Sequence, residues 1–415
     1  MQRFTSLCFR CNGMPLKPVS VMWESTIACG LACRHCKASA RRERDPRELT
    51  TEESYAFVDQ IAGFRRPYPV LRITGGNALR RDDIFDIIRY AKDAGLKVTV
   101  APSTTPLLNR KNIEKLKRAG CDIVAMSIDG ATPEQHDAFR GVKGTFHRLV
   151  RATRIMQELR LPFRLLTTVT THNVRELPEI MFLSKRLGAI GWYLYMLIPT
   201  GRASEELSLS PEEYEDVFHF IYDAMRLPLL AVNAIAGSEP YRRVAVMRYL
   251  AEREMLDRSV LKQGELYSLL SRKLSRLARE ARVEEAEVVE VSYSSKDSSI
   301  FGKGIFVAHT GEIYPSSFMP VTLGNVREDS LEEVYTGSEV LKAMHDASRL
   351  RGRCGICEFN DICRGSRSRA YAVTGDYLAE DPYCAYSPGS VELPPVDKEA
   401  ILNQLRITNF SRRVG

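Results

Sequence analysis

Three thiols fall within eight residues near the start of the chain: Cys29, Cys33 and Cys36, in WESTIACGLACRHCKASA (23–40). The spacing is CxxxCxxC. Three thiolates are one too few for a closed tetrahedral zinc site, and one too few to saturate an iron–sulfur cube. A cube held by three leaves one iron with coordination positions open to a small molecule. An open position is what separates a catalytic metal centre from a structural one.

A second group lies near the other end, in RCGICEFNDICRGSRSRAYAVTGDYLAEDPYC (353–384). Cys354, Cys357, Cys363 and Cys384 form CxxC, a third cysteine after five residues and a fourth after twenty. Four thiols in one segment suffice for structural zinc or for a fully ligated cluster. Cys8 and Cys11 form another CxxC. With Cys33 and Cys36 that pair approaches a zinc-ribbon spacing, but the assignment strands Cys29, and the role of the pair stays open. Cys121, in AGCDIVAMSID, stands alone and reads as a small buried hydrophobe.

The elements that must position these groups are legible from periodicity. Short apolar runs, VSVMWES, PVLRIT, KVTVA, DIVAMSI, FRLLTTVT and WYLYMLI, begin near positions 19, 69, 97, 122, 163 and 192. Between them lie amphipathic stretches such as TEESYAFVDQIAGF, RDDIFDIIRYAKDAG and RKNIEKLKRAG, the last two closing on a glycine suited to a helix end. Strand, helix and strand repeating about every 30 residues predict right-handed crossovers and a parallel sheet. Six units are too few to close an eight-stranded barrel, so the expectation is an α/β fold with a partial (β/α)6 barrel. The cysteine loop follows the first strand and TGGN (74–77) follows the second, on the face where α/β barrels build their sites.

After PTGRA (199–203) the regime changes. SPEEYEDVFHFIYDAMR reads as a helix opened by Ser210 and Pro211, and the next stretch as mainly helical and charged. The run SRKLSRLAREARVEEAE (271–287) is read as a solvated face, its acidic second half arguing against phosphate binding. A short hairpin, GIFVAHTGEIYPSS, then precedes the second cysteine group.

The 415 residues allow one large domain and a smaller one, with 44% hydrophobic and 8% aromatic content. No apolar run reaches the roughly 18 residues of a membrane span, and MQRFTSLCFRCNG lacks the apolar core of a secretory signal, so a cytoplasmic protein without a membrane partner is expected. Reduced, clustered cysteines there point to metal rather than disulfides. A net charge of +7, from 59 basic and 52 acidic residues, permits an anionic substrate without pointing to nucleic acid.

CxxxCxxC on the loop after the first strand of a βα array resembles the radical SAM superfamily. That resemblance implies a [4Fe–4S] cluster on Cys29, Cys33 and Cys36 whose open iron chelates S-adenosylmethionine (SAM). Cleavage of SAM then gives a 5′-deoxyadenosyl radical that abstracts hydrogen from a substrate. TGGN stands where the family carries a GGE motif, so Gly75, Gly76 and Asn77 are expected beside the methionine ammonium, with an amide in place of the usual acid. Ser103 and Thr104 look like ribose contacts, and Ser127 and Asp129 end the fourth strand. Arg140 is similar to an arginine that grips the SAM carboxylate, and His35 takes an aromatic slot near the adenine. His35, His136 and His309 taken singly read as packed or surface histidines.

Downstream of such a barrel, the four later cysteines resemble a SPASM or twitch extension, which implies one auxiliary [4Fe–4S] cluster. Ser316 and Ser317 stand where a longer pattern places a further cysteine. The organisation expected is an N-terminal extension (1–18), the partial barrel (19–205), a mainly helical connecting region (206–299), the auxiliary-cluster domain (300–388) and a tail (389–415). LGNVRE, CGICEF and GDYLAEDPYC look like the branch of haem and haem d1 biosynthesis enzymes, which remodel tetrapyrrole side chains. The implied function is a radical SAM enzyme, oxidoreductase or lyase in type, acting on a tetrapyrrole side chain. The implied electron donor is a low-potential protein such as ferredoxin or flavodoxin.

The alternative is a peptide or protein maturase, weakened because only about 18 residues precede the first strand, where many such enzymes carry a recognition domain of roughly 80. A third reading, from another class, is a non-catalytic iron–sulfur electron-transfer or assembly protein. Arg202, Arg242 and Arg243 are candidates to meet substrate carboxylates, and Tyr195, Tyr241 and Tyr314 are candidate radical relays by side-chain type alone.

Overall fold

The computed structural model describes residues 17–283 and 304–405, with the backbone of 10–11 and 14–15. Cys8 lies outside the described residues. Of Cys11 only the backbone is described, paired with Met14 in a two-residue ribbon.

The six expected strands form at β1 (Ser20–Glu24), β2 (Val70–Thr74), β3 (Val98–Val100), β4 (Ile123–Ser127), β5 (Phe163–Val169) and β6 (Gly191–Met196), each pairing in parallel with the next. Their apolar runs are buried on both faces, as a sheet covered by crossover helices requires. The helices follow their periodicity. In α1 (Thr51–Ala62) Thr50 and Glu53 form a reciprocal capping box, and in α2 (Ile84–Asp93) Ile84, Ile87, Ile88 and Ala91 turn one face to the core. Gly95 and Gly120 sit just past α2 and α3 (Arg110–Arg118) at φ +87° and +91°, a left-handed geometry that glycine adopts without strain.

The remaining crossovers are α4 (Pro133–Arg140), α5 (Thr145–Glu158) and α6 (Leu177–Arg186). The 206–299 stretch opens with α7 (Pro211–Arg226) on the expected Ser210 cap and continues through α8 (Tyr241–Glu252) and α9 (Glu265–Glu280). It also contains a strand that periodicity did not reveal, β7 (Ala231–Ala234), parallel to β6. Four residues between two helices carry too short a pattern to show. The charged α9 solvates one side, but Leu266, Leu270, Leu274 and Ala278 are buried at helical spacing on the other, and the run beyond residue 283 lies outside the described residues.

The C-terminal hairpin forms as expected, β8 (Gly304–Val307) against β9 (Glu312–Tyr314), followed by β10 (Gly324–Asn325). Its first strand pairs in parallel with β1, giving one ten-stranded sheet in the order β10-β9-β8-β1-β2-β3-β4-β5-β6-β7. No ladder among the described residues joins β7 to β8 or β10, so the curved sheet stays open along a seam. A cavity of about 60 Å³ lies in that seam, lined from one edge by Ser20, Met22 and Phe306 and from the other by Tyr195 and Glu239.

Candidate functional site

The loop carrying Cys29, Cys33 and Cys36 is shaped by its neighbours. At the end of β2 the amides of Gly76 and Asn77 donate to Thr26 and Ala28 carbonyls at 2.7 Å each. A Cβ on Gly76 would collide with the Ile27 and Ala28 carbonyls, and Gly75 sits at φ +147° against Thr26. The paired glycines of TGGN are therefore required first to seat the cysteine loop. Two other loops clasp it in the same way. Ala32 and Arg34 donate to the carbonyls of Arg140 and Phe139, with Gly141 packed on the Ala32 carbonyl. Arg202 N donates to Cys36 O, with Gly201 at φ +63° beneath it. Glu48, buried, accepts from Thr26 Oγ1 at 2.7 Å and Ile27 N at 3.0 Å and fixes the approach to Cys29.

The three thiols pack in one small cluster, and Cys29 and Cys36 both act on Cys33 electrostatically. Leu31 N lies 3.4 Å from Cys29 Sγ and Ala40 N 3.4 Å from Cys36 Sγ, which gives two of the three sulfurs an amide donor suited to a thiolate. Burial pushes the Cys33 thiol up, with Arg140 pulling the other way, so a ligated cation is what would ionise it fully.

The residues expected around SAM converge here. Ser103 Oγ is 3.4 Å from Cys29 Sγ and donates to Gly76 O at 2.6 Å. Arg140 Nη1 pairs with buried Asp129 at 3.1 Å and lies 3.3 Å from His35 Nε2. The His35 ring stacks on Phe139 at 4.4 Å, and burial lowers its pKa to about 4, so it is neutral near pH 7. His136 is neutral for the same reason, and its Nδ1 accepts from Asp129 N. Thr104 Oγ1, Arg140 Nε and His35 Nδ1 are buried with no hydrogen-bond partner. Orphaned polar atoms at three of the nine expected SAM contacts fit a polar ligand missing from this corner of the fold. Ser127 ends β4.

Asn77 is bonded within the strand-end loops themselves. It is fully buried, its Oδ1 accepts from Ser103 N at 3.2 Å and Leu79 N at 3.3 Å, and its Nδ2 donates to Thr105 Oγ1 at 3.0 Å. The amide oxygen is already engaged by two backbone donors, so Asn77 organises the strand-end loops.

The four later cysteines surround a separate hollow, lined also by Arg243, Arg353, Asp381 and Tyr386. Burial raises all four thiols, Cys357 to about 11. Arg367 Nη2 lies 3.6 Å from Cys354 Sγ, and Asp381 N 3.4 Å from the same sulfur. A Cβ on Gly365 would press on that sulfur at 2.9 Å. Among the described residues no three His, Cys, Asp or Glu groups converge on a single-ion position, at this hollow or at the first cysteine loop. Cys121 is buried as expected, its thiol pushed up to about 12.

The three arginines proposed for substrate carboxylates are committed elsewhere. Arg202 donates to the Cys33 and Ala40 carbonyls, Arg242 pairs with Glu399 and buried Arg243 with Glu215. Of the tyrosines, only Tyr195 lines the seam cavity. Tyr241 donates to Met225 Sδ, and Tyr314 stacks on Phe306. Sequence reasoning missed Lys37, whose ammonium sits 4.6 Å above the Phe306 ring and 3.8 Å from Glu24, and took His309 as a bland residue, although it contacts Glu24 at 2.8 Å. The position of Lys37 directly after Cys36 was the available signal.

Comparison with known proteins agrees with this geometry. A family model described as the Radical SAM superfamily matches residues 23–183. An AdoMet-dependent heme synthase of Methanosarcina barkeri is 35% identical over 373 residues, covering 90% of this chain and 97% of that protein. A pre-heme d1 synthase of Dinoroseobacter shibae is 27% identical over 90% of this chain and 87% of its own. In fold the chain is similar to Streptococcus suis SuiB bound to its precursor peptide SuiA, with a TM-score of 0.62 at 14% identity, covering 90% of this chain and 77% of that one.

Proposed function

The chain belongs to the radical SAM superfamily, and on that premise we propose that it is an enzyme acting on a carboxylate-bearing side chain of a tetrapyrrole. Members of the family use a [4Fe–4S] cluster and SAM, and they act on small molecules or peptides with the help of a reductant. The observation that carries the substrate class is the 35% identity to a heme synthase along nine-tenths of this chain. An Fe-coproporphyrin III synthase of Methanosarcina barkeri, 31% identical over 89% of the chain, points the same way.

In this reading Cys29, Cys33 and Cys36 hold the SAM cluster and Cys354, Cys357, Cys363 and Cys384 hold an auxiliary one. When bound, the first cluster and SAM supply a one-electron cleavage that removes a hydrogen atom from the substrate. Arg140, anchored by Asp129, keeps its unpartnered Nε for the SAM carboxylate, and Thr104 and His35 supply the other unmet polar atoms. Gly75 and Gly76 keep the backbone close, and Ser103 ties their loop to Cys29. The buried shell of Phe139, Leu197, Ala203 and Leu207 backs this corner and excludes water from it. The closed auxiliary site, without an open ligand position, serves electron passage or pocket shape.

Anaerobic incubation of the two-cluster protein with SAM, reductant and separate tetrapyrrole and peptide candidates tests the proposal by mass spectrometry. A tetrapyrrole product lacking carbon dioxide and two hydrogen atoms per side chain is expected. Modification of peptide alone would replace the reading with the maturase one, and no SAM cleavage at a reduced cluster would revive the electron-transfer alternative.

A further inference from the structure

The seam cavity borders the segment of the later cysteines, and Lys37 of the cysteine loop, itself outside the lining, packs on two rings of its wall. Gly365, Arg367 and Ser368 line it from the segment of the later cysteines, and Phe306 and Phe318 line it where Lys37 reaches across from the cysteine loop. On β1, Ser20 and Met22 line the cavity, and Glu24 continues the same strand face toward the cysteine loop. A cavity of about 60 Å³ holds roughly four waters, which is space for one short side chain and far too little for a macrocycle.

The polar groups around it differ in what remains available. Arg367 spends its donors on the Gly365, Tyr377 and Ala379 carbonyls and on Cys354 Sγ. Ser368 donates to Ser316 at 3.1 Å. Glu239 is buried, its Oε2 has no partner, and burial lifts its pKa to about 7, so near neutral pH it carries only part of a negative charge. Lys37 is the exception. No acceptor among the described residues comes within hydrogen-bond distance of its ammonium, and its ion pair with Glu24 is 3.8 Å long. The other Glu24 oxygen is engaged by His309 at 2.8 Å. The ammonium is instead held over two aromatic faces, Phe306 at 4.6 Å and Phe318 at 6.0 Å, a desolvated setting with its three donors unspent.

We propose that Lys37 receives a carboxylate of the substrate at the cysteine-loop end of the seam cavity, and that this one cation selects an anionic side chain. The lysine is a specificity residue, placed next to the ligand Cys36 so that the side chain it anchors enters beside the first cluster. The inference rests on the tetrapyrrole reading for the identity of the molecule that carries the carboxylate. Recognition of the carboxylate itself rests on the unspent Lys37 ammonium beside the Phe306 and Phe318 rings of the cavity wall.

The test uses the two-cluster protein, oxidised and with SAM bound, so that nothing turns over. Binding of iron coproporphyrin III and of its tetramethyl ester is followed by absorbance, and binding of 3-phenylpropionate and its amide by ligand-observed NMR. The wild type should prefer each acid over its neutral partner. Lys37→Met should weaken binding of the acids by about 10- to 100-fold, the worth of a charged hydrogen bond, and leave the ester and amide within about threefold. Lys37→Arg should recover most of the loss, and iron content and SAM affinity should be unchanged in both variants. A wild type that binds phenylpropionate through Lys37 but ignores the porphyrin would keep the inference and sink the tetrapyrrole reading. A Lys37→Met protein that binds the porphyrin acid as tightly as wild type would do the reverse. A wild type with no preference for either acid overturns the inference without recourse to any variant.

Discussion

The loop of Cys29, Cys33 and Cys36 has no helix and only an isolated bridge of its own, and it is held from outside by backbone amides and carbonyls of two strand-end loops and the C-terminal end of α4. The segment from Gly352 to Cys384 is held from inside by charge. Asp381 and Arg369, both fully buried, pair at 2.7 Å; Asp381 also accepts from Ser366 N; Arg353 joins Glu380 and the Cys384 carbonyl. Burial opposes the Arg369 charge, and Asp381 more than offsets it, holding its pKa above the usual arginine value. The first loop is framed by main chain, with unmet polar atoms on Thr104, Arg140 and His35 around it. The later segment is braced by its own charged side chains, although Arg369 keeps Nε and Nη1 without a hydrogen-bond partner.

Removing thiols should separate the two sites most sharply. Cys33→Ala is expected to abolish SAM cleavage and lose about four irons per chain. Cys363→Ala should lose a similar amount of iron yet keep cleaving SAM without substrate turnover. Iron analysis and chromatography of 5′-deoxyadenosine read both. Loss of SAM cleavage in both variants would mean the sites are not independent.

The scaffolds should fail differently too. Asp381→Asn strands the Arg369 guanidinium in a dry interior and should cost about 3–5 kcal/mol, seen as a lowered melting temperature with iron lost first from the second site. Gly201→Ala places a Cβ on the Cys36 and Lys37 carbonyls at φ +63° and should cost about 1–3 kcal/mol, with iron lost from the first site only. Equal loss from both sites in either variant would break the contrast.

Much of this was legible in the chain because the signals were local. Alternating apolar runs marked six strands to within a residue or two, and Ser210 and Pro211 marked α7. What stayed hidden depended on distant partners. The four residues of β7 make a strand only because β6 lies beside them, and β8 extends the main sheet only because β1 accepts it, across nearly 300 residues of sequence. Arg202, Arg242 and Arg243 looked available for a substrate because their partners, the cysteine-loop carbonyls, Glu399 and Glu215, are remote in sequence. Lys37 was overlooked for the converse reason: the aromatic rings that hold it come from residues 306 and 318.

Asn77 gives the finest test of how far the first site is built of main chain. An aspartate there would keep both acceptor bonds from Ser103 N and Leu79 N, and the Thr105 hydroxyl could turn to donate where it now accepts. A buried carboxylate with two amide donors and one hydroxyl is well satisfied, so Asn77→Asp should change stability by about 1 kcal/mol or less. If the residue only organises loops, SAM affinity measured by calorimetry should move by less than about threefold. If its side chain touches the methionine ammonium, the new charge would strengthen that contact and tighten binding about tenfold. The two N–H bonds already on Oδ1 favour the smaller change, because an oxygen facing Ser103 and Leu79 amides has no lone pair left to turn toward a ligand.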